Sequence, residues 1–265
     1  MNRLSERVDC VVVTGAGRGI GAAAAKHLAS FGVPVLCISR TQNAHSVRQQ
    51  IEENGGNAFA LSLDLADTVA TRKTVSEWIS KMPYMKLGIV LAAGTTGMPG
   101  GLLDADLTDW LRTFQTNVLG NLAVVQALLP RMLESRFGRI VMFGGGGAAY
   151  GYPLFGGYAV SKAAVVRATE NLHEEIKDRG DFSIVCLAPG AIETDMLRTI
   201  RGAGGEVRTV TAMTEPLNFI EKFLGSAQCA FSGRFVHVRD NWETWLDQKE
   251  AELPAQQWFL RRVEL

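Results

Sequence analysis

Short apolar runs alternate with longer amphipathic stretches along most of the chain. Residues 8–13, 35–38, 58–63, 87–92, 139–143 and 183–187 are continuously or predominantly apolar. Runs of this length predict strands buried on both faces. The stretches between them carry the helical period. Residues 19–31 are alanine-rich and stop at Gly32. Residues 44–54 stop at Gly55 and Gly56, and residues 76–81 lie within a further helix. Residues 108–135 place Trp110, Phe114, Val118, Leu122 and Val125 at helical spacing, and residues 158–179 continue the pattern. Strands separated by helices imply βαβ units and a parallel sheet. The expected fold is a single doubly wound α/β domain of Rossmann type over residues 1–265, with residues 239–265 as a C-terminal tail.

Composition narrows the class. The 265 residues suffice for one large domain with its own core. Basic and acidic residues balance at 27 each, so no charged face argues for nucleic acid. No apolar run reaches the ~20 residues of a membrane span, and the short charged N-terminus does not resemble a signal peptide. Cys10, Cys37, Cys186 and Cys229 lack metal spacing and are expected to be buried free thiols in a cytoplasmic protein. The four histidines share no ligand pattern, and no metal is expected.

Two segments carry candidate chemistry. The first apolar run leads into Thr14-Gly15-Ala16-Gly17-Arg18-Gly19-Ile20-Gly21 and then a helix. Small residues let the backbone approach a pyrophosphate, and the helix start offers free N–H groups and a positive dipole end. The spacing Gly15-x-x-x-Gly19-x-Gly21 differs from the GxGxxG fingerprint. The second segment is Tyr158-Ala159-Val160-Ser161-Lys162. Its Tyr and Lys stand one turn apart on one helix face. A phenol with a pKa of roughly 10 is a poor acid–base group near neutrality, but a neighbouring ammonium lowers it.

Together these motifs resemble the short-chain dehydrogenase/reductase family, over about residues 8–238. Asp64 before Leu65 is similar to the family's adenine-contacting Asp. Leu91-Ala92-Ala93-Gly94 resembles NNAG with both asparagines lost, and Asn117 resembles the active-site Asn. Pro189-Gly190-Ala191-Ile192-Glu193-Thr194 resembles the PGxxxT turn that holds a nicotinamide. The resemblance implies an oxidoreductase that moves a hydride between nicotinamide and a ketone or secondary alcohol. In it Tyr158 is the acid/base, Lys162 also binds the ribose, and Asn117 anchors a proton-relay water. It implies a homodimer or homotetramer built on the helices at 108–135 and 158–179, the second of which has Ala163, Val166, Ala168 and Leu172 on more than one face. The family selects NAD with an acid after the second strand. Here Ser39 and Arg40 stand there and Arg18 lies in the loop, a set suited to the 2′-phosphate of NADP(H).

One departure leaves the activity open. Where the resemblance places an active-site Ser, this chain has Gly145, and residues 137–157 contain no Ser or Thr. A substrate can orient itself by its own polar groups. Thr95, Thr96, Tyr150 or Tyr152 can supply the hydroxyl instead. In the third reading the protein is a catalytically silent NADP(H)-binding sensor or partner. The Gly144–Gly147 run and the late segment from Gly233 to Trp242 are loosely similar to short-chain reductases of sugar and polysaccharide clusters, which implies a keto-sugar or other polyhydroxylated substrate. Arg198, Arg201 and Arg208 mark residues 196–211 as either a basic lid or a solvated loop. Trp242, Trp245, Trp258 and Phe259 imply that the tail packs on something: its own subunit, the substrate cleft or a neighbour's site.

Overall fold

The computed structural model describes residues 3–205, 207, 210–227, 229–246, 253, 259 and 260. A seven-stranded sheet lies at its centre. Its strands are β1 Cys10–Thr14, β2 Val35–Ser39, β3 Ala58–Ser62, β4 Leu87–Leu91, β5 Phe137–Phe143, β6 Asp181–Ala188 and β7 Phe235–His237. They are all parallel, in the order β3-β2-β1-β4-β5-β6-β7. The order reverses between β1 and β4, which creates a crevice at the carboxyl ends of those strands.

The helices are α1 Arg3–Arg7, α2 Gly19–Ala29, α3 Asn43–Glu53, α4 Thr68–Ser80, α5 Leu107–Phe114, α6 Asn121–Ser135, α7 Gly146–Ala149, α8 Gly156–Ile176, α9 Asp195–Gly202 and α10 Thr214–Gly225. Alternate side chains of each strand point to opposite faces. Val11, Val13, Val35, Val90, Val141 and Val185 pack on one side with residues of α2, α3 and α10. Val12, Leu36, Ile38, Ile89, Ile140 and Ile184 pack on the other with α4, α6 and α8. Burial on both faces is why the strands read as unbroken apolar runs.

The expected strands and helices form, with ends moved by a few residues. The stretch expected as one helix over 108–135 is continuous but not uniform. Residues Gln115–Gly120 form a π-helical turn between α5 and α6. A Cβ on Gly120 would stand 2.3 Å from Leu65 O, so only glycine lets the turn seat there. Such turns recur at functional sites, and this one carries Asn117. Strand β7 was not anticipated: at three residues it is too short to show a period.

All four cysteines are buried and free. Among the described residues, no helix is long and apolar enough to cross a membrane, and no group of His, Cys, Asp and Glu is placed to hold a metal. The described part of the tail packs on its own chain. Trp242 is buried edge-on against Phe219, with ring centroids 4.7 Å apart, and its Nε1 donates to Val238 O at 3.2 Å. Leu253 joins the core on the α10 side of the sheet and Leu260 the α8 side. Arg167 donates to Leu260 O at 2.8 Å, and Leu260 N donates to Glu170 at 2.9 Å. Trp258 lies outside the described residues.

Candidate active site

The glycine loop leaves β1 and turns sharply into α2. Gly15 and Gly19 adopt φ of +65° and +54°, conformations that cost other residues strain. A Cβ on Gly21 would lie 2.3 Å from Gly15 O, and one on Gly17 2.9 Å from the Asn43 Cβ. Ile20 packs behind the loop against the core. Arg18, the residue before α2, gives its backbone no side-chain cap, and the first turn has no acid. The first N–H groups of α2 thus stay available to an anion. The cradle and the bare helix end fit a dinucleotide pyrophosphate.

Other cofactor candidates gather around this loop. Ala93 and Gly94 follow β4; Ala93 N donates to the Thr14 hydroxyl at 3.1 Å. Asn121, which the sequence did not single out, ties the two strand ends together. It accepts from the Thr14 hydroxyl at 2.8 Å and donates to Ala93 O at 3.0 Å and Asn117 O at 3.1 Å. It braces the turn whose own asparagines are lost. Asp64 accepts from Ala66 N at 3.1 Å, and Leu65 is buried beside Gly120. Pro189 is buried, and Gly190 has φ +73°, with Thr211 Oγ1 2.1 Å from where its Cβ would be. Ile192 is buried, and Thr194 caps α9 and touches the space over Gly19.

At the other end of the loop, Ser39 donates to Thr41 O at 2.8 Å and accepts from Ala44 N at 3.1 Å. Arg40 is exposed, and Arg18 is turned to an exposed ion pair with Asp195 at 3.3 Å. A cavity of about 450 Å³ opens here between α2 and α3, lined by Gly17, Arg18, Lys26, Asn43, Ser46 and Gln50. It lies on the loop side of the crevice, away from Tyr158. The expected lid arginines are also paired: Arg198 with Asp195, and Arg201 with Glu193 at 2.6 Å. Arg208 lies outside the described residues.

Tyr158, Lys162 and Asn117 converge beneath the carboxyl ends of β4 and β5. Lys162 is buried, donates to Phe143 O at 2.8 Å and lies 5.6 Å from the Tyr158 ring centroid. Asn117 accepts from Thr95 N at 2.8 Å and donates to Thr95 O and the Ser161 hydroxyl, both at 2.9 Å. Ser161, a position the motif left without a role, in turn donates to Tyr158 O at 2.7 Å. The amide of Asn117 therefore locks the loop after β4 to the helix that carries the phenol. Burial dominates the local electrostatics. It pushes the Tyr158 phenol up to about 12, with Tyr152 adding to the rise, and pulls the Lys162 ammonium down to about 8. In the protein alone the phenol thus moves opposite to the direction expected from its lysine. Tyr158 is only half-buried, and solvent at its ring tempers that rise.

Gly145 adjoins the phenol. It adopts φ +155°, and its Cβ would stand 3.2 Å from the Tyr158 hydroxyl. Of the four hydroxyls considered as replacements, Tyr152 has its ring 6.4 Å from that of Tyr158. Thr95 and Thr96 are engaged with Gly97, and Tyr150 is exposed.

A family model for short chain dehydrogenases matches residues 9–203, and the chain belongs to that family. It is 34% identical over 196 residues to a 3-oxoacyl-acyl-carrier-protein reductase of Aggregatibacter actinomycetemcomitans, covering 71% of this chain and 78% of the other. It is 31% identical over 188 residues to a short chain dehydrogenase of Pseudocercospora fijiensis, covering 70% of this chain and 60% of that longer relative. A solved short chain dehydrogenase from Salmonella enterica superposes with a TM-score of 0.79 at 25% identity, covering 90% of this chain and 98% of the other.

Proposed function

We propose that this oxidoreductase uses NADP(H) to interconvert a ketone and its secondary alcohol, with Tyr158 as the acid/base. The observation that carries the reading is the lock from Asn117 through Ser161 to Tyr158, which aims a phenol and a buried ammonium into a crevice opposite a pyrophosphate cradle. Gly15, Gly17, Arg18, Gly19, Ile20 and Gly21 hold the pyrophosphate end. Ser39 and Arg40 hold the ribose phosphate, Asp64 and Leu65 the adenine, and Ala93, Gly94, Pro189, Gly190, Ile192 and Thr194 the nicotinamide side. Bound nicotinamide supplies or accepts the hydride. In reduction Tyr158 donates its proton to the carbonyl oxygen as charge develops there. Lys162 keeps positive charge beside the phenol, and Asn117 anchors the relay that reprotonates it. The test is loss of nicotinamide absorbance against a panel of ketones. The second reading, a silent NADP(H)-binding protein, draws on the absence of a side-chain donor at Gly145. NADPH binding without turnover of any ketone or alcohol favours it.

Cofactor choice gives a measurable consequence. NADPH should bind at least tenfold more tightly than NADH, because Arg40 is exposed beside Ser39 and Arg18 can exchange Asp195 for the phosphate. A hydrogen bond to a charged group is worth about 1.5–3 kcal/mol, so one such contact suffices for the ratio. Calorimetric titration of both cofactors checks this, and equal affinities rule it out.

We propose a cytoplasmic homodimer or homotetramer. Leu107 and Leu111 on α5, Leu119 on the π-turn and Val160 on α8 are exposed apolar residues on adjacent elements. Copies of these faces pairing across a two-fold axis would bury them. Light scattering at micromolar concentration should give at least a dimer; a monomer refutes the assignment.

A further inference from the structure

The loop after β4 does not hold its own backbone. Ala92, Ala93 and Gly94 carry no polar side chain, so the groups that fix the loop come from other elements. Two asparagines four residues apart, Asn117 on the π-turn and Asn121 at the start of α6, supply most of them. Asn117 accepts from Thr95 N at 2.8 Å and donates to Thr95 O at 2.9 Å. Asn121 donates to Ala93 O at 3.0 Å, and the Thr14 hydroxyl accepts from Ala93 N at 3.1 Å. That hydroxyl in turn donates to Asn121 Oδ1 at 2.8 Å. Both backbone groups of Ala93 and both of Thr95 are thus held by side chains.

Asn121 has a second task. Its amide also donates to Asn117 O at 3.1 Å. Thr14, Asn117 and Asn121 are all buried, at 0%, 1% and 2% exposure. The amide orientation is fixed by its partners: turned over, its oxygen would face two carbonyl oxygens. Only a group with an acceptor on one side and two donors on the other fits, and among side chains of this size asparagine alone supplies it. Losing it would leave buried polar groups unpaired, which costs more than the bonds themselves contribute.

The loop so held lies between the two halves of the site. On one side a Cβ on Gly15 would stand 2.8 Å from Ala93 N, so the glycine loop rests directly on it. On the other a Cβ on Gly94 would stand 3.3 Å from Asn117 Oδ1 and 3.7 Å from Lys162 Nζ. A shift of this loop therefore moves the cofactor cradle and the proton-transfer residues relative to each other. A misplacement of about 1 Å can cost about a hundredfold in rate.

We infer that Asn121 is a positioning residue of the reaction: through Thr14, Ala93 and Asn117 its one amide keeps the glycine loop in register with Lys162 and Tyr158. The kinetic part rests on the reductase reading; the part concerning cofactor affinity does not.

The test uses the full chain. Asn121→Asp keeps the shape and the acceptor but removes both donors. Thr14→Val keeps the shape and removes the hydroxyl, and Thr14→Ser keeps the hydroxyl. Rates are expressed per NADPH-binding site counted by calorimetry, so unfolded protein drops out of the comparison. Asn121→Asp and Thr14→Val should each raise the NADPH Kd at least fivefold and lower kcat per site at least tenfold. Thr14→Ser should restore most of what Thr14→Val loses. The double variant Thr14→Val, Asn121→Asp should lose little more than the worse single one, because both break one unit. Single variants that leave Kd and kcat per site within twofold of the parent overturn the inference. So does a Thr14→Ser protein as impaired as Thr14→Val, or full additivity in the double variant. If Asn121→Asp does not fold, the two Thr14 variants decide the matter. A parent protein that binds NADPH but turns over no ketone sinks the reductase reading alone, and the Kd values still decide whether the amide holds the cradle.

Discussion

Tyr158→Phe is expected to lower ketone reduction at least a hundredfold while changing NADPH affinity by less than threefold. The ring stays and only the proton is lost. A positioned proton donor contributes about 10²–10⁴-fold to rate. The Asn117–Ser161 lock holds the Tyr158 backbone and needs no phenol, so the fold should not move. Lys162→Ala should damage both quantities, because the ammonium stands beside the phenol and faces the space over Gly94, where its Nζ comes 3.7 Å from a built Cβ. The pH dependence has a definite sign. Reduction uses the protonated phenol, which the rise to about 12 secures across the neutral range. It also uses the charged lysine, which loses its proton as pH climbs through about 8. The reduction rate should therefore fall above pH 8, and the reverse oxidation, which needs the phenolate beside the same charged lysine, should gain with pH up to about 8 and level off beyond it. Steady-state rates in both directions from pH 6 to 10 check this. A Tyr158→Phe enzyme with full turnover would falsify the assignment of the acid/base.

Gly145→Ser should also lower activity, although on sequence grounds it restores a hydroxyl that the family uses. At φ +155° and ψ 173° the backbone lies in a region that is essentially glycine-only, and a side chain there costs about 1–3 kcal/mol. The Cβ alone would press on the phenol oxygen at 3.2 Å, before any hydroxyl is added. The change should cut kcat at least tenfold on every ketone and lower the melting temperature by several degrees. At roughly 2–4 °C per kcal/mol for a chain somewhat smaller than this one, the strain is large enough to see. Kinetics and a thermal melt on the same variant measure both. Higher turnover of small ketones would show that the strand end yields and that the missing donor limits the rate.

The two outcomes differ because residue type identifies one position and backbone geometry decides the other. Tyr158, Lys162 and Asn117 were legible in the sequence, and the fold brings them together. Gly145 was legible only as a missing serine. Its backbone angle and its distance from the phenol do not follow from residue type, and they turn an expected gain into an expected loss. Arg18 behaves similarly. As a charge in the loop it was visible, but its turn toward Asp195 depends on α9, which follows β6, three strands from β1 in the sheet.

The sequence by itself determined the layered architecture. Short, continuous apolar runs alternating with helical stretches are satisfied by strands buried on both faces and paired in parallel. It also determined the glycine loop that turns into α2, because glycines and a helix start adjoin within one short segment. What tertiary structure alone decided are the features made by residues far apart in the chain. Asn121 ties Thr14 to Ala93, and Ser161 links Asn117 to Tyr158. The π-turn seats Gly120 on Leu65, β7 pairs with β6, and Trp242 and Leu260 pack on opposite faces of the sheet. None of these has a local period or spacing. Each arises when a backbone group of one element must find its partner on another, and that choice exists only once the sheet has brought them within hydrogen-bond reach.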